Sequence, residues 1–352
     1  MGICMKRVLA CFITFIMAAC MSLEMSDITG FAASKQTVVV IDPGHGGTGD
    51  RNLGAIYNGF VEKDLTLQVA NAMKTELEKY DNVTVYLTRT KDAVNSLEDR
   101  AKFAQSVNAD FVFSIHFNAS SEHDFYGSEV WTSAFGNFYQ KGQTFGLLES
   151  AELAELGLYQ KGVKSKIGST GKDYYGIIRH CVSRGIPCDI IEHCYLDHAY
   201  DVQYLKGQDF INSLGVADAT AVAKYFKLKS SVNGNDFSNL TYNTVSKPSK
   251  RVHQDITDPE VCDIKVLAFD SESRNALVEM SAYDSQSPVI YFSYSYDGGK
   301  TFSTLQMWDS SKKTQSFNVK IPTSSRLSNI VCRAYNNYEL YKQSNEVAIE
   351  TR

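Results

Sequence analysis

The chain has 352 residues, 43% of them hydrophobic and 21% charged, with a formal net charge of -5. That length favours one large and one smaller domain, and the composition is globular, which excludes a disordered chain or a membrane bundle. The acidic balance, with no evident basic surface, excludes nucleic acid as the main partner and leaves a neutral or mixed-charge polymer open.

Lys6 and Arg7, followed by the apolar stretch from Val8 to Met21, read as an export signal too short for a stable membrane span. The signal is assigned to residues 1–33, with Gly30 and Ala32 as the small residues near the cut, so the mature protein is expected to work outside the cytoplasm. A competing reading cuts before Cys20 in Met17-Ala18-Ala19-Cys20 and lipidates its thiol. Beyond the signal five cysteines remain, Cys181, Cys188, Cys194, Cys262 and Cys332, an odd number without a C-x-x-C pair. A bridge between Cys262 and Cys332 and a reduced, buried pair both fit the sequence.

Residues 34–228 alternate strand-like and helix-like segments, the pattern of an α/β domain in which a layered sheet is flanked by helices. Thr37 to Ile41 is an apolar run fit for a buried strand, and Leu65, Val69, Met73 and Leu77 recur at helical spacing behind the acidic Glu62 and Asp64. Val83 to Thr88 predicts a strand, Leu97 to Val107 a helix, and Phe111 to Ile115 a third strand. Ser128 to Thr132 and Cys188 to Glu192 predict two more strands, and a closing helix is expected from about Gln208 to Phe226.

Residues 229–258 turn to Ser, Asn, Thr, Lys and Gly with few apolar anchors, a solvated linker by composition. Residues 259–352 carry short alternating strands at 262–266, 276–280, 290–295, 316–319 and 330–335, with a turn signal at Asp297-Gly298-Gly299. The expected fold there is a small all-β sandwich of immunoglobulin or fibronectin III kind. Its aromatic residues Tyr291, Phe292, Tyr294, Tyr296, Phe302 and Trp308 suit a sugar-stacking face, although strand alternation directs about half of them to the core.

Three short motifs each follow or precede an apolar run and each carries a potential metal ligand: Asp42-Pro43-Gly44-His45-Gly46-Gly47, Glu62-Lys63-Asp64 and Ser114-Ile115-His116-Phe117-Asn118. Two imidazoles, one carboxylate and a fourth position left open make the donor set of a hydrolytic zinc site rather than a structural one. The glycines around His45 let the backbone bend closely round an ion, and Asn118 shares a strand face with His116. His45, His116 and Glu192 fall at or near strand ends, where an open α/β sheet builds its sites.

These motifs, together with Gly54-Ala55, Leu87-Thr88-Arg89-Thr90, Leu97 with Arg100, and Gly127-Ser128-Glu129, make residues 36–228 resemble the zinc-dependent N-acetylmuramoyl-L-alanine amidases of the amidase 3 type. The resemblance implies that His45, Glu62 and His116 bind Zn2+ and that Glu192 is the catalytic glutamate. It implies a secreted, cell-wall hydrolase that cleaves the amide between N-acetylmuramic acid and the L-alanine of the peptidoglycan stem peptide. Around Glu192 the chain reads Ile191-Glu192-His193-Cys194-Tyr195-Leu196-Asp197-His198, where relatives carry a Val-Glu-Leu-Gly-Phe-like run.

Each residue also has a purely structural reading: a turn histidine for His45 and His116, helix capping for Glu62, and an ion pair with Arg179 or Arg184 for Glu192. Arg89 and Arg100 are expected to pair with Asp or Glu and fix loops, and His193 and His198 to be polar neighbours or substrate contacts. Two other functions share the pattern: a wall-binding or adhesion protein with a vestigial zinc site, and a zinc hydrolase of another peptide amide. The oligomeric state is left open, a monomer included.

Overall fold

The computed structural model describes residues 36–47, 51–323 and 327–350, so the expected export signal lies outside the described residues. Its first strand, β1 (Thr37–Pro43), shows why the opening run is apolar throughout. Val39 and Ile41 pack into one buried cluster and Val40 into another on the opposite face. A strand covered on both faces has no polar side to show, which is the condition of a parallel sheet between helix layers.

Five further strands join it: β4 (Val83–Leu87), β5 (Phe111–Asn118), β6 (Ser128–Thr132), β7 (Gln160–Ser165) and β8 (Cys188–Tyr195), the tiny hairpin β2 (Ile56–Tyr57) and β3 (Phe60–Val61) standing apart. The six-stranded order is β4-β1-β5-β8-β6-β7. β4, β1, β5 and β8 are mutually parallel, whereas β6 runs antiparallel to β8 and parallel to β7.

Among the described residues there are six helices: α1 (Glu62–Leu77), α2 (Leu97–Ser106), α3 (Gly136–Glu155), α4 (Gly176–Val182), α5 (Ala199–Leu205) and α6 (Gln208–Phe226). Leu65, Val69, Met73 and Leu77 of α1, Phe145 and Leu153 of α3 and Leu214 and Val222 of α6 bury against Ile41, Phe113 and Ile115 on one face. Ala101 and Ala104 of α2 and Ile177, Ile178 and Cys181 of α4 cover Val112, Cys188 and Ile190 on the other. The layered α/β expectation therefore holds.

Helix α3 was not legible in the sequence because it contains Gly142 and Gly146, poor helix formers. Their absent side chains let the helix lie flush on the sheet. A Cβ on Gly142 would stand 1.7 Å from Thr132 Oγ1, and one on Gly146 2.7 Å from Val163 Cγ1.

The 229–258 stretch forms no helix or strand of the fold, yet it is tied to the helices α3 and α6 and to the loop before α3. Val245 N–H donates to Thr144 Oγ1 at 3.0 Å, Val252 N–H to the Ala134 carbonyl at 2.9 Å, and Tyr242 OH to the Tyr225 carbonyl at 2.5 Å. Beyond it come β9 (Val261–Asp270), β10 (Asn275–Tyr283), β11 (Val289–Ser295), β12 (Gln306–Met307), β13 (Thr314–Lys320), β14 (Leu327–Asn336), β15 (Tyr341–Gln343) and β16 (Val347–Glu350). They form antiparallel sheets β13-β10-β9 and β12-β11-β14-β15, with β16 also on β14, as the sandwich expectation requires.

Ala276, Val278, Met280 and Ala282 alternate into the sandwich core and meet Ile330, Cys332 and Ala334. Phe292 and Trp308 belong to that core, and Tyr291 is buried against the α/β unit, so these rings are packing rather than a sugar platform. All five cysteines from Cys181 to Cys332 are free and buried; Cys262 Sγ lies 3.9 Å from the Cys332 carbonyl oxygen.

Candidate metal centre and catalytic cleft

His45 stands two residues beyond Pro43, the end of β1, and takes a left-handed φ of 60°. Two buried arginines hold this turn. Arg100 donates to the Pro43 carbonyl at 2.7 Å and also to the His45 carbonyl, while Arg89 donates to Pro43 at 3.0 Å, Gly44 at 2.8 Å and Lys63 at 2.7 Å. Arg100 pairs with Asp42 at 2.7 Å, both essentially without exposure, and Asp42 also accepts from Thr88 at 2.5 Å and Ser114 at 2.8 Å. The expected carboxylate pairing thus holds for Arg100, whereas Arg89 is satisfied by carbonyls. Arg100→Met should destabilise the fold by about 3–5 kcal/mol, since it strands Asp42 in the interior; denaturant titration at constant m-value measures this.

Glu62 opens α1 and is 4% exposed. Its Oε2 accepts from Ala55 N–H at 2.8 Å and its Oε1 from Phe117 N–H at 3.1 Å, so the carboxylate is aimed away from its own helix. Gly54 makes room for it: a Cβ there would meet Glu62 Oε2 at 2.3 Å. The same Oε1 lies 3.0 Å from His45 Nε2 and 3.0 Å from His116 Nδ1. Burial alone would raise the Glu62 carboxyl, but the hydrogen bonds and charges of the two histidines outweigh it and hold it far below the ordinary carboxylate range.

One donor atom from each of His45, Glu62 and His116 lies within 4.8 Å of the others. Both histidines are partly exposed, at 25% and 20% of the side chain, so the cluster opens to the surface on one side. The two nitrogens, one oxygen and open side match the donor chemistry of a catalytic zinc site.

Glu192 lies on β8 at the register position of His116 on β5, and it pairs in register with Glu129 on β6. Its Oε2 is sealed from solvent with no hydrogen-bond partner among the described residues. Burial, then the charges of Glu62 and Glu129, raise the carboxyl well above its usual range. A cation held by His45, Glu62 and His116 would oppose the Glu62 part of that shift. The two arginines offered as partners are engaged elsewhere: Arg179 donates to the Asp173 and Tyr174 carbonyls at 2.8 and 2.9 Å, and Arg184 lies 3.3 Å from Glu98.

His193 points to the opposite face from Glu192, fully buried, bridging the His116 carbonyl at 3.1 Å and Asp218 at 2.9 Å. It supports the strand that carries His116 rather than facing the cleft. His198 caps α5, its Nδ1 accepting from Tyr200 N–H at 3.3 Å.

A cavity of about 480 Å³ opens beside Glu192 and Asn118. A separate hollow of about 360 Å³ beside Trp308 in the sandwich contains none of these groups. Under the Glu192 cavity Glu129 accepts from Asn118 at 3.0 Å, Trp131 Nε1 at 2.9 Å and Lys164 at 2.5 Å, with Lys161 Nζ 3.2 Å away. Burial pushes the Glu129 carboxyl up, but the two ammonium charges override this and bring it to about 2. Burial lowers Lys164, whereas for Lys161 the charges of Glu129 and Glu339 more than offset the same burial and raise it. Nothing in the sequence marks these lysines as interior residues, because their partners are distant in the chain.

The mixed α/β sheet with a two-histidine, one-carboxylate cluster at its edge is the architecture of a metal-dependent hydrolase. Residues 39–224 match the amidase 3 family, described as N-acetylmuramoyl-L-alanine amidase, and the chain belongs to that family. It is 32% identical over 194 residues to the sporulation-specific N-acetylmuramoyl-L-alanine amidase of Bacillus subtilis strain 168, covering 54% of this chain and 69% of that one. Over 196 residues it is 30% identical to N-acetylmuramoyl-L-alanine amidase CwlM of Bacillus licheniformis, again covering 54% and 69%. Among solved structures, Cwp6 from Clostridium difficile superposes with a TM-score of 0.51 at 25% identity, over 55% of this chain and 30% of that one.

Proposed function

We propose that the protein hydrolyses the amide between N-acetylmuramic acid and the L-alanine of the peptidoglycan stem peptide, within an amidase domain of residues 34–228. The observation that carries this reading is the convergence of His45, Glu62 and His116 beside Glu192 in a chain of this family. The intact donor set argues against a vestigial site.

His45, Glu62 and His116 would hold Zn2+, which when bound polarises a carbonyl and lowers the pKa of water. The rest of the chemistry belongs to side chains. Glu192, its carboxylate made more basic by burial, accepts a proton from the attacking water and returns it to the leaving amine nitrogen. Asn118, bonded to Glu129 at 3.0 Å, lines the same cavity and presents a neutral, oriented amide to the substrate. Export through residues 1–33, or lipidation at Cys20, would place the enzyme outside the cytoplasm, and among the described residues no helix is long and apolar enough to cross a membrane. The 229–258 stretch would join the enzyme domain to the sandwich of residues 259–352.

Purified peptidoglycan treated with the mature protein should release free peptides that begin with L-alanine, identified by mass spectrometry. A chelator should abolish the release and added Zn2+ restore it. Muropeptides left with the lactyl amide intact by metal-loaded protein would reject the assignment.

A further inference from the structure

The family match ends at residue 224, yet the cleft beside Glu192 is completed by residues more than a hundred positions further on. The turn joining β14 to β15 brings Tyr338, Glu339 and Leu340 to the wall of the cavity that holds Glu192, Asn118 and Glu129. Asn336 makes this turn rigid, its Oδ1 accepting from Tyr338 N–H at 3.0 Å and Leu340 N–H at 3.1 Å.

The turn is built into the α/β unit through charge. Lys161 and Lys164 are both buried, and Glu129 is the one carboxylate that the α/β sheet sets within ion-pair distance of them among the described residues. The second negative charge is Glu339 of the turn, whose Oε1 accepts from Lys161 at 2.5 Å and from Tyr195 OH at 2.8 Å. Without it a buried ammonium would share a carboxylate already bonded to Lys164, leaving its desolvation unrepaid.

Lys164 also donates to the Asn337 carbonyl at 2.7 Å, and Tyr338 OH to the Ser165 carbonyl at 3.1 Å. Beside these bonds runs an aromatic seam. Tyr159 OH donates to the Ile290 carbonyl at 2.5 Å, Tyr291 OH to the Tyr126 carbonyl, and the ring of Tyr291 packs 5.1 Å from those of both Tyr126 and Tyr159.

We propose that this turn is a substrate-contacting wall of the catalytic cleft, so that the sandwich helps to select the muramoyl peptide instead of serving only as a tethered wall-binding module; this rests on the amidase reading above. Glu339 is charge-paired with Lys161 and hydrogen-bonded by Tyr195 OH. Half-buried Leu340 and Tyr338 are left to present apolar and aromatic surface to the aliphatic parts of the stem peptide.

The test uses the full mature chain, with Leu340→Trp to narrow the cleft and Leu340→Ala to widen it. Only main-chain atoms of Leu340 hold the turn, so both substitutions spare its hydrogen bonds. Hydrolysis of muramoyl dipeptide and muramoyl pentapeptide is followed, and peptide binding is measured by calorimetry in a Glu192→Gln background.

Leu340→Trp should raise KM and Kd for the pentapeptide about tenfold, with a much smaller fall in kcat, at unchanged melting temperature. Leu340→Ala should change the ratio of kcat/KM between the two peptides. Wild-type KM, Kd and ratio in both variants would overturn the proposal. So would a uniform gain in kcat/KM on both peptides in Leu340→Ala, because that marks the turn as a plug rather than a wall. Should the zinc-loaded wild-type chain cleave neither peptide, the amidase reading itself fails, and this proposal with it.

Discussion

Glu192→Gln is expected to lower turnover of peptidoglycan by about a hundred- to ten-thousand-fold, the range that a positioned general acid–base supplies, while the protein keeps its metal. Glutamine preserves the shape of the side chain and removes only its capacity to take a proton. The metal should stay, because the donor atoms come from His45, Glu62 and His116 and Glu192 stands on the neighbouring strand. The fold should also survive, since Oε2 of Glu192 bonds to nothing among the described residues. Zinc content by mass spectrometry and turnover are therefore measured on the same preparation. Normal zinc with turnover close to wild type would remove Glu192 from the chemistry. Loss of zinc along with turnover would make it a ligand or a structural group.

The candidate site residues stand out in the sequence because local chemistry marks them. His45 sits among glycines at the end of an apolar run, Glu62 opens an amphipathic helix, and His116 and Glu192 interrupt buried strands, each a departure from the pattern that a core alone would produce. The same logic yields five of the six strands of the α/β sheet, all but β7, and the helices α1, α2 and α6. It failed at α3, where Gly142 and Gly146 look like helix breakers until the close approach to Thr132 and Val163 is known. It also failed at Lys161 and Tyr159. Their chemistry depends on Glu339 and Ile290, which lie 178 and 131 residues away in the chain.

Most residues of the 229–258 stretch are exposed, as its composition suggests, but composition could not place its anchors. A stretch poor in apolar residues reads as solvated, but its ties to Thr144 and Ala134 run through main-chain N–H groups, which every residue except proline carries. Arg89 is a further case. Its guanidinium is satisfied by the Pro43, Gly44 and Lys63 carbonyls, so it fixes a loop as expected but through main-chain oxygens, which no search for an acidic partner in the sequence could find.

Gly44→Ala is the second large effect expected, and it should remove zinc binding and activity together although it changes no ligand. A Cβ at position 44 would stand 2.4 Å from His116 Cε1, 2.5 Å from His116 Nε2 and 2.7 Å from the Ile115 carbonyl oxygen. The last of these is main chain in the middle of the sheet, and Gly44 N–H is bonded to that same oxygen at 2.9 Å, so the glycine cannot retreat without breaking the link between β1 and β5. The imidazole must swing instead, which takes its Nδ1 away from the 3.0 Å approach to Glu62 and disperses the donor set. A metal site that loses one of three protein ligands falls steeply in affinity. Gly207→Ala is the control, since its Cβ would meet nothing within 4 Å and its φ of -110° suits alanine. Competition against a chromophoric chelator should show weaker zinc binding in Gly44→Ala and none of that loss in Gly207→Ala. Unchanged affinity in Gly44→Ala would mean that His116 reaches the ion from a different rotamer, and the geometry assigned to the centre would have to be redrawn.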